Sequence, residues 1–181
     1  MAISKLFQTY YAIDLEHLSE SWGSNTYTKI LVKEYPDSAL VSTVSTQSAD
    51  VTFLYPHQPT NVYYLDGVAE GHITLVNWHA ADTTTVTGYT VRLRKTDNTP
   101  DNETTLGTYT GTISTGNTIS AAGGELRLPI FMNIDGQKVG EDEKLLLNIT
   151  YNSSGGTPCV KHELDSADPD IKIKIPYAST G

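Results

Sequence analysis

The sequence predicts an all-β protein whose main domain is an antiparallel sandwich of two sheets. From about residue 61 onward, short runs of alternating apolar and polar residues recur at fairly even spacing between turn-forming clusters. The composition is rich in threonine, whose branched side chain favours the pleated strand over the helix. No helical pattern of useful length follows residue 61. Seven such runs are typical of a two-sheet sandwich.

The clearest strand pair lies within residues 71–95. Residues 72–79 and 88–95 read as two strands joined by a polar link. In the second strand Tyr89, Val91 and Leu93 share one face and alternate with Thr90, Arg92 and Arg94. We expect Trp78 and Tyr89 to pack together in the core.

Five further strands complete the predicted sandwich. Proline at position 129 lacks an N–H and therefore indicates an edge strand or a bulge. In the last strand Ile173 and Ile175 alternate with outward lysines, a pattern typical of a protected edge. The five strands cover residues 61–65, 104–113, 124–132, 144–151 and 170–177.

Residues 1–60 differ in character from residues 61–181, the predicted sandwich domain. Strand-like pieces at residues 28–33, 39–44 and 51–55 are separated by proline-containing turns. This segment is poor in apolar residues, so we do not expect it to be stable alone. It is predicted to be an N-terminal arm with short strands that packs on the sandwich or on a neighbour.

The arm supplies the candidate partner-binding residues. Its apolar residues suit one side of a short helix, and they equally suit an extended arm lying on a neighbouring subunit. Their burial would require a partner, so we expect an oligomer in which this part of the arm docks. The candidates are Leu6, Phe7, Tyr10 and Tyr11.

Charge and cysteine content exclude several classes of partner. With 12 basic and 21 acidic residues the net charge is −9, and an acidic surface disfavours nucleic-acid binding. Cys159 is the single cysteine, which excludes an internal disulfide and a cysteine-based zinc site. Neither a signal peptide nor a membrane-spanning run is visible, so we expect synthesis in a cytoplasm without export and no membrane association.

The sequence shows no pattern of catalytic or metal-ligating residues. The histidines are scattered, and His72 and His79 would lie about 23 Å apart on opposite faces of one strand. Acidic clusters at residues 141–143 and 165–170 offer oxygen ligands for calcium, but their order is not that of a calcium loop, and solvated turns are the preferred reading. No G-x-S-x-G motif is present. We therefore expect no catalytic residues, no cofactor and no enzymatic activity. The five histidines are His17, His57, His72, His79 and His162.

Residues 73–95 resemble strands B and C of a fibronectin type III domain. Trp78 corresponds in type and spacing to the core tryptophan of that family, and Gly88, Tyr89 and Val91 to its Gly-Tyr-x-Val pattern. The resemblance implies an immunoglobulin-like strand order and a display or binding module. Periodicity alone does not decide between this order and a jelly roll, which stays the alternative.

The whole chain also resembles accessory proteins of tailed-phage virions. The shared features are a short start at residues 1–3, an arm, and an acidic β-sandwich rich in threonine and glycine. The resemblance implies a non-enzymatic structural protein of a bacteriophage that decorates or cements the capsid. It implies the virion as location, and the major capsid protein, other virion subunits and further copies of the chain as partners.

A carbohydrate- or receptor-binding module of a fibre or adhesin is the alternative function. Tyrosine dominates the aromatic residues, with 11 Tyr against 2 Trp and 3 Phe. Tyrosine rings exposed on loops at one end of a sandwich would provide a stacking surface for a sugar or a contact surface for a protein.

Overall fold

A computed structural model describes residues 6–14, 19–34, 49–78, 81–99, 102–115, 117–155, 158–161 and 169–178. Within these ranges there are thirteen strands and no helix, so the all-β prediction is confirmed. In particular, no helix that could span a membrane occurs there. Several predicted features lie outside the described residues: the strand at 39–44, three of the five histidines (His17, His79 and His162), and most of the acidic cluster at 165–170.

The predicted runs within the described residues fall mostly inside strands, and the structure has further strands that the sequence did not predict. They are β1 Leu6–Asp14, β2 Glu20–Trp22, β3 Asn25–Tyr27, β4 Lys29–Val32, β5 Asp50–Leu54, β6 Tyr63–Asn77, β7 Thr84–Thr96, β8 Glu103–Thr112, β9 Thr118–Ile119, β10 Gly124–Val139, β11 Lys144–Gly155, β12 Cys159–Val160 and β13 Lys172–Ala178.

Nine of these strands form a closed barrel. The ring runs β10-β8-β7-β11-β5-β4-β1-β13-β6 and returns to β10 through the pairing of β10 with β6. All neighbours are antiparallel except β4 and β5, which pair in parallel at Ile30 and Leu54. β9 and β12 pair with β7 and β6, while β2 and β3 form a separate hairpin. Closure leaves the ring without free edges.

The closed barrel corrects the predicted fold. The two-sheet immunoglobulin-like sandwich is wrong, because a single sheet closes on itself where a sandwich would have two stacked sheets. Two predicted strands, 61–65 and 72–79, are in fact parts of the single strand β6. Asp66 and Gly67, a dipeptide typical of turns, lie within this strand. Gly67 instead continues the strand at φ 124°, opposite a bulge in β10 between Ile134 and Gln137.

Strand β13 lies inside the barrel wall and not at an edge. It pairs with β1 on one side and with β6 on the other. Ile173 and Ile175 are fully buried in the core, as the alternation predicts. Lys172 and Lys174 face outward, so their position reflects the inside–outside alternation of a barrel strand.

Trp78 and Tyr89 do not form the predicted core pair. Trp78 follows the last residue of β6 and is 48% exposed, whereas Tyr89 is 4% exposed. The hydroxyl of Tyr89 donates a hydrogen bond of 2.5 Å to the carbonyl oxygen of Pro129. Its ring lies against β8 at Gly111, where an added Cβ would come within 2.2 Å of the ring. Tyr89 is therefore a core residue, and Trp78 is a surface residue.

The N-terminal segment contributes three strands to the ring. β1 pairs with β13 and β4, and β5 pairs with β11. Residues 6–14 are thus a strand and not a helix. The division of the chain into residues 1–60 and 61–181 stays a prediction.

Candidate functional site

A cleft of about 350 Å³ opens where strands from distant parts of the sequence end near each other. Residues 55–62, which connect β5 to β6, line much of it. The remainder comes from β1, β13, the start of β6 and the residue after β4. We call it the tyrosine cleft, because its lining contains Tyr10, Tyr55, Tyr63 and Tyr177.

Three hydroxyl groups are linked at the buried side of the tyrosine cleft. The hydroxyl of Tyr10 is hydrogen-bonded to that of Tyr177, which also interacts with the hydroxyl of Tyr63. The rings of Tyr63 and Tyr177 lie with centroids 5.1 Å apart. Burial, together with the neighbouring tyrosines, raises the pKa of Tyr10 and of Tyr63 far above its usual value. Burial also raises the pKa of Tyr177. All three phenols are therefore neutral at physiological pH.

The mouth of the tyrosine cleft combines aromatic faces with two basic side chains. The ring of Tyr55 stands edge-on to Tyr10, with centroids 5.1 Å apart and an angle of 81°. The imidazole of His57 lies 5.4 Å from the Tyr55 ring. The ammonium of Lys33 is 5.3 Å from the centre of the Tyr55 ring and 6.0 Å from that of Tyr10. These distances are within the range of cation–π attraction.

A second, shallower depression lies on the outer face of the barrel. It is lined by Glu70, Gly71, His72, Phe131, Lys172 and Lys174. His72 is not free there, because its Nε2 is 2.8 Å from the carbonyl oxygen of Pro169. Phe131 is 57% exposed and Lys174 lies over the Phe7 ring. This surface is open and has charges of both signs.

No nucleophile paired with a base is found among the described residues. Neither His57 nor His72 is hydrogen-bonded there to a serine, threonine or cysteine side chain. Cys159 is buried, and burial raises the pKa of its thiol, which keeps it protonated and unreactive. Within the same residues, no group of three or more His, Cys, Asp or Glu side chains is placed to hold a metal ion.

The four predicted partner-binding residues do not form one surface. Leu6 and Phe7 are 60% and 46% exposed, whereas Tyr10 is 1% exposed and belongs to the core and the cleft. Tyr11 is half-buried on the other side of β1. Docking of this segment on a partner stays a prediction.

Sequence reasoning missed the tyrosine cleft. The high tyrosine content was a signal, but its members are dispersed over the chain from Tyr10 to Tyr177. No motif or regular spacing connects them. Only the pairing of β1 with β13, and of β13 with β6, brings three of them together.

Comparisons with known proteins give a likeness of fold. No protein-family model and no curated protein sequence matches the chain. Among solved structures, it is similar to a CocE/NonD family hydrolase from Staphylococcus aureus. The TM-score is 0.59 at 11% identity, covering 97% of this chain and 37% of that one. It is also similar to an aminopeptidase from the marine sediment archaeon Thaumarchaeota archaeon. There the TM-score is 0.52 at 8% identity, covering 98% of this chain and 34% of that one.

The chain thus spans about a third of the length of each of these two structures. At identities of 8 to 11% the likeness shows the fold alone. It nevertheless separates this barrel from the fibronectin type III and immunoglobulin-like folds, and the resemblance stated for residues 73–95 is wrong. That resemblance rested on one strand pair, whose alternation and aromatic residues recur in many antiparallel sheets.

The functional predictions are also corrected. The similar structures are hydrolases, and nothing among them supports a phage structural protein, capsid decoration or the fibre and adhesin alternative. The prediction that the protein is not an enzyme is contradicted by the same structures. The absence of cofactors, the partners and the virion location stay predictions.

Proposed function

We propose that this chain is a β-barrel domain that works in a hydrolase, with the tyrosine cleft holding part of the substrate. One observation carries the proposal. Nearly the whole chain shares its fold with about a third of a CocE/NonD family hydrolase and of an aminopeptidase. Because a fold hosts many functions, the proposal needs a site as well.

The tyrosine cleft has the composition of a substrate site. Its walls are aromatic faces, which bind apolar groups, and its buried hydroxyls are neutral donors suited to a carbonyl oxygen. Its volume of about 350 Å³ accommodates an acyl or aminoacyl group of modest size. Esters and peptide amides have both parts, so we propose them as the substrate class.

The cleft would hold and orient the substrate. His57 lines the cleft with its ring 5.4 Å from that of Tyr55. In this proposal the bond-breaking nucleophile lies outside the described residues or in another part of the hydrolase. Orientation of a substrate against such a group contributes strongly to the rate.

The proposal is tested with the full chain and two kinds of probe. Hydrolysis of p-nitrophenyl esters and aminoacyl p-nitroanilides is followed by absorbance. Binding of a non-hydrolysable ketone analogue of the same groups is followed by NMR of the ¹⁵N-labelled chain. We expect saturable binding with shifts centred on residues 55–63.

Variants locate that binding. Tyr55→Ala removes an aromatic wall of the cleft and should weaken binding by about tenfold. Tyr64→Ala is the matched control, because Tyr64 is an exposed tyrosine that does not line the cleft. The proposal would be overturned if no probe were hydrolysed and none were bound. It would also be overturned if the two variants had equal effects on binding.

A further inference from the structure

We infer that the tyrosine cleft is a binding site for a carboxylate group on a small apolar or aromatic molecule. Charge is the first reason. The chain has 21 acidic and 12 basic residues, yet none of the eleven described residues that line the cleft is Asp or Glu. Two of them, Lys33 and His57, are basic. In a protein with net charge −9, a concavity with such a lining and an ammonium at its mouth is suited to an anion.

Lys33 is available to such a ligand. Its ammonium lies over the rings of Tyr55 and Tyr10 and, within the described residues, is in no ion pair. The next residue, Glu34, is an exposed carboxylate. It lines a neighbouring depression that shares Lys33, Tyr55 and His57 with the tyrosine cleft, but it does not line the cleft itself. The aromatic rings hold the ammonium near the mouth, where a carboxylate would gain a charge-assisted hydrogen bond.

The hydroxyl network supplies a second donor. The hydroxyls of Tyr10 and Tyr177 are hydrogen-bonded to each other, and the Tyr63 hydroxyl lies close enough to that of Tyr177 to affect its pKa. The three hydroxyl groups carry three protons, and a linear chain of three hydroxyls uses at most two of them. At least one O–H is therefore left to donate to an acceptor. Burial keeps these phenols neutral, so none of them repels an anion.

The apolar residues of the lining would contact the apolar part of the ligand. Pro59 and Val62 belong to the loop that lines the cleft together with the tyrosine rings, and Val62 is exposed. A molecule with its carboxylate at Lys33 and the hydroxyl chain would place its apolar group between these walls. The volume of about 350 Å³ suits a ligand of the size of phenylacetate.

This inference rests on the proposed function for the source of the ligand. Hydrolysis of an ester or amide by water releases a carboxylic acid, and a peptide substrate carries a carboxylate at its C-terminus. The shared chemistry is a carboxylate next to an apolar group. A released acid and a substrate C-terminus differ in the rest of the molecule, because only the substrate continues into a peptide chain.

The test uses isothermal titration of the full chain with pairs of charged and neutral ligands. Phenylacetate is compared with phenylacetamide, and Gly-Phe with Gly-Phe-amide. We expect each acid to bind at least tenfold more tightly than its amide. Tighter binding of phenylacetate indicates a released acid as the natural ligand, and tighter binding of Gly-Phe indicates a substrate terminus.

Lys33→Met should weaken binding of both acids by about tenfold and leave the amides unchanged. Lys172→Met is the matched control, because Lys172 lies on the outer face, away from the cleft. Equal affinity for acid and amide, or unchanged affinity in Lys33→Met, would overturn the carboxylate site.

The outcomes separate this inference from the proposed function. Equal binding of acids and amides in the cleft removes the carboxylate site and leaves the hydrolase proposal intact. If the acids bind but no ester, amide or ketone probe is hydrolysed or bound, the carboxylate site stands and the hydrolase proposal is overturned. If no ligand binds, both the carboxylate site and the hydrolase proposal are overturned.

Discussion

The hydroxyl of Tyr10, on β1, is hydrogen-bonded to the hydroxyl of Tyr177, on β13. These residues are 167 positions apart in the sequence, and their strands are neighbours in the barrel wall. The bond therefore joins the first and last strands of the described chain at the buried side of the tyrosine cleft. It connects closure of the barrel with formation of the candidate site.

Removal of this bond should lower stability without unfolding the protein. Tyr10→Phe keeps the buried ring but leaves the Tyr177 hydroxyl with one partner fewer. We expect a loss of about 1–2 kcal/mol in the free energy of unfolding, measured by urea denaturation. Tyr64→Phe is the control and should change it by less than about 0.5 kcal/mol, since Tyr64 is exposed. Equal losses of stability in the two variants would show that the Tyr10 hydroxyl contributes no more than an exposed hydroxyl.

Buried tyrosines should make the barrel sensitive to alkaline pH. Burial, with a smaller contribution from Cys159, raises the pKa of Tyr151 from 10.0 to about 12. Its hydroxyl donates to the carbonyl oxygen of Pro158. A raised pKa in the folded state means that the stabilisation is complete below pH 10 and is lost as pH rises toward 12.

Tyr151→Phe isolates this contribution. Between pH 10 and 12 the variant should lose stability less steeply than the wild type, by up to about 1.4 kcal/mol per pH unit. Guanidinium denaturation at several pH values measures the difference. At pH 7 the variant should be slightly less stable, because only the hydrogen bond is missing there. Parallel pH profiles would contradict the prediction.

Trp78 should contribute little to stability. Because its side chain is 48% exposed, Trp78→Ala should cost about 1 kcal/mol or less in the free energy of unfolding. Phe53→Ala is the comparison, because Phe53 is fully buried and its removal should cost about 3–5 kcal/mol. Thermal denaturation of the two variants should rank them clearly. A large loss for Trp78→Ala would contradict the surface position.

Gly111→Ala should destabilise the barrel through Tyr89. The added methyl group would lie 2.2 Å from Cε1 of the buried ring, so the ring or β8 must shift. We expect a cost of about 1–3 kcal/mol, measured by urea denaturation. The cost should shrink in a Tyr89→Leu background, where the ring is absent. Thr108→Ala, at an exposed position of the same strand, is the control.

Lys161 forms a buried ion pair whose loss should be severe. Its ammonium is 2.7 Å from Glu125 Oε1 and 3.5 Å from Oδ1 of Asp170, and both Lys161 and Asp170 side chains are 4% exposed. Lys161→Met leaves the buried Asp170 carboxylate without this cation. We expect a loss of about 3–5 kcal/mol in the free energy of unfolding.

An exposed ion pair gives the matched control for Lys161. Arg94 and Glu103 are 2.7 Å apart, but their side chains are 28% and 31% exposed. Arg94→Met should therefore cost about 1 kcal/mol or less. Denaturation of both variants in the same buffer makes the comparison. Similar losses would mean that burial does not set the strength of the Lys161 pair.

Part of the fold was predictable because it depends on local alternation. The strand runs at residues 51–55, 88–95, 104–113 and 144–151 correspond to β5, β7, β8 and β11. The inward positions of Ile173 and Ile175 follow from a side-chain period of two, which any half-buried strand must have. The burial of Tyr89 follows from the same rule.

The path of the sheet was not predictable, because alternation specifies which face is buried and not which strand lies alongside. Residues 170–177 have the pattern of an edge strand, yet β13 has a neighbour on each side. Trp78 has the spacing of a core residue, but β6 ends immediately before it and leaves it in solvent.

The sequence by itself determined an acidic all-β chain with an apolar face on each strand, because composition and periodicity are local properties. Tertiary structure alone decided that the strands close into one barrel. It also decided that Tyr10, Tyr55, Tyr63 and Tyr177 meet at a single cleft. The physical reason is that closure pairs β1 with β13 and β13 with β6. Side chains far apart in the chain then lie at one end of the barrel. The spacing of the tyrosines in the sequence does not predict that they meet there.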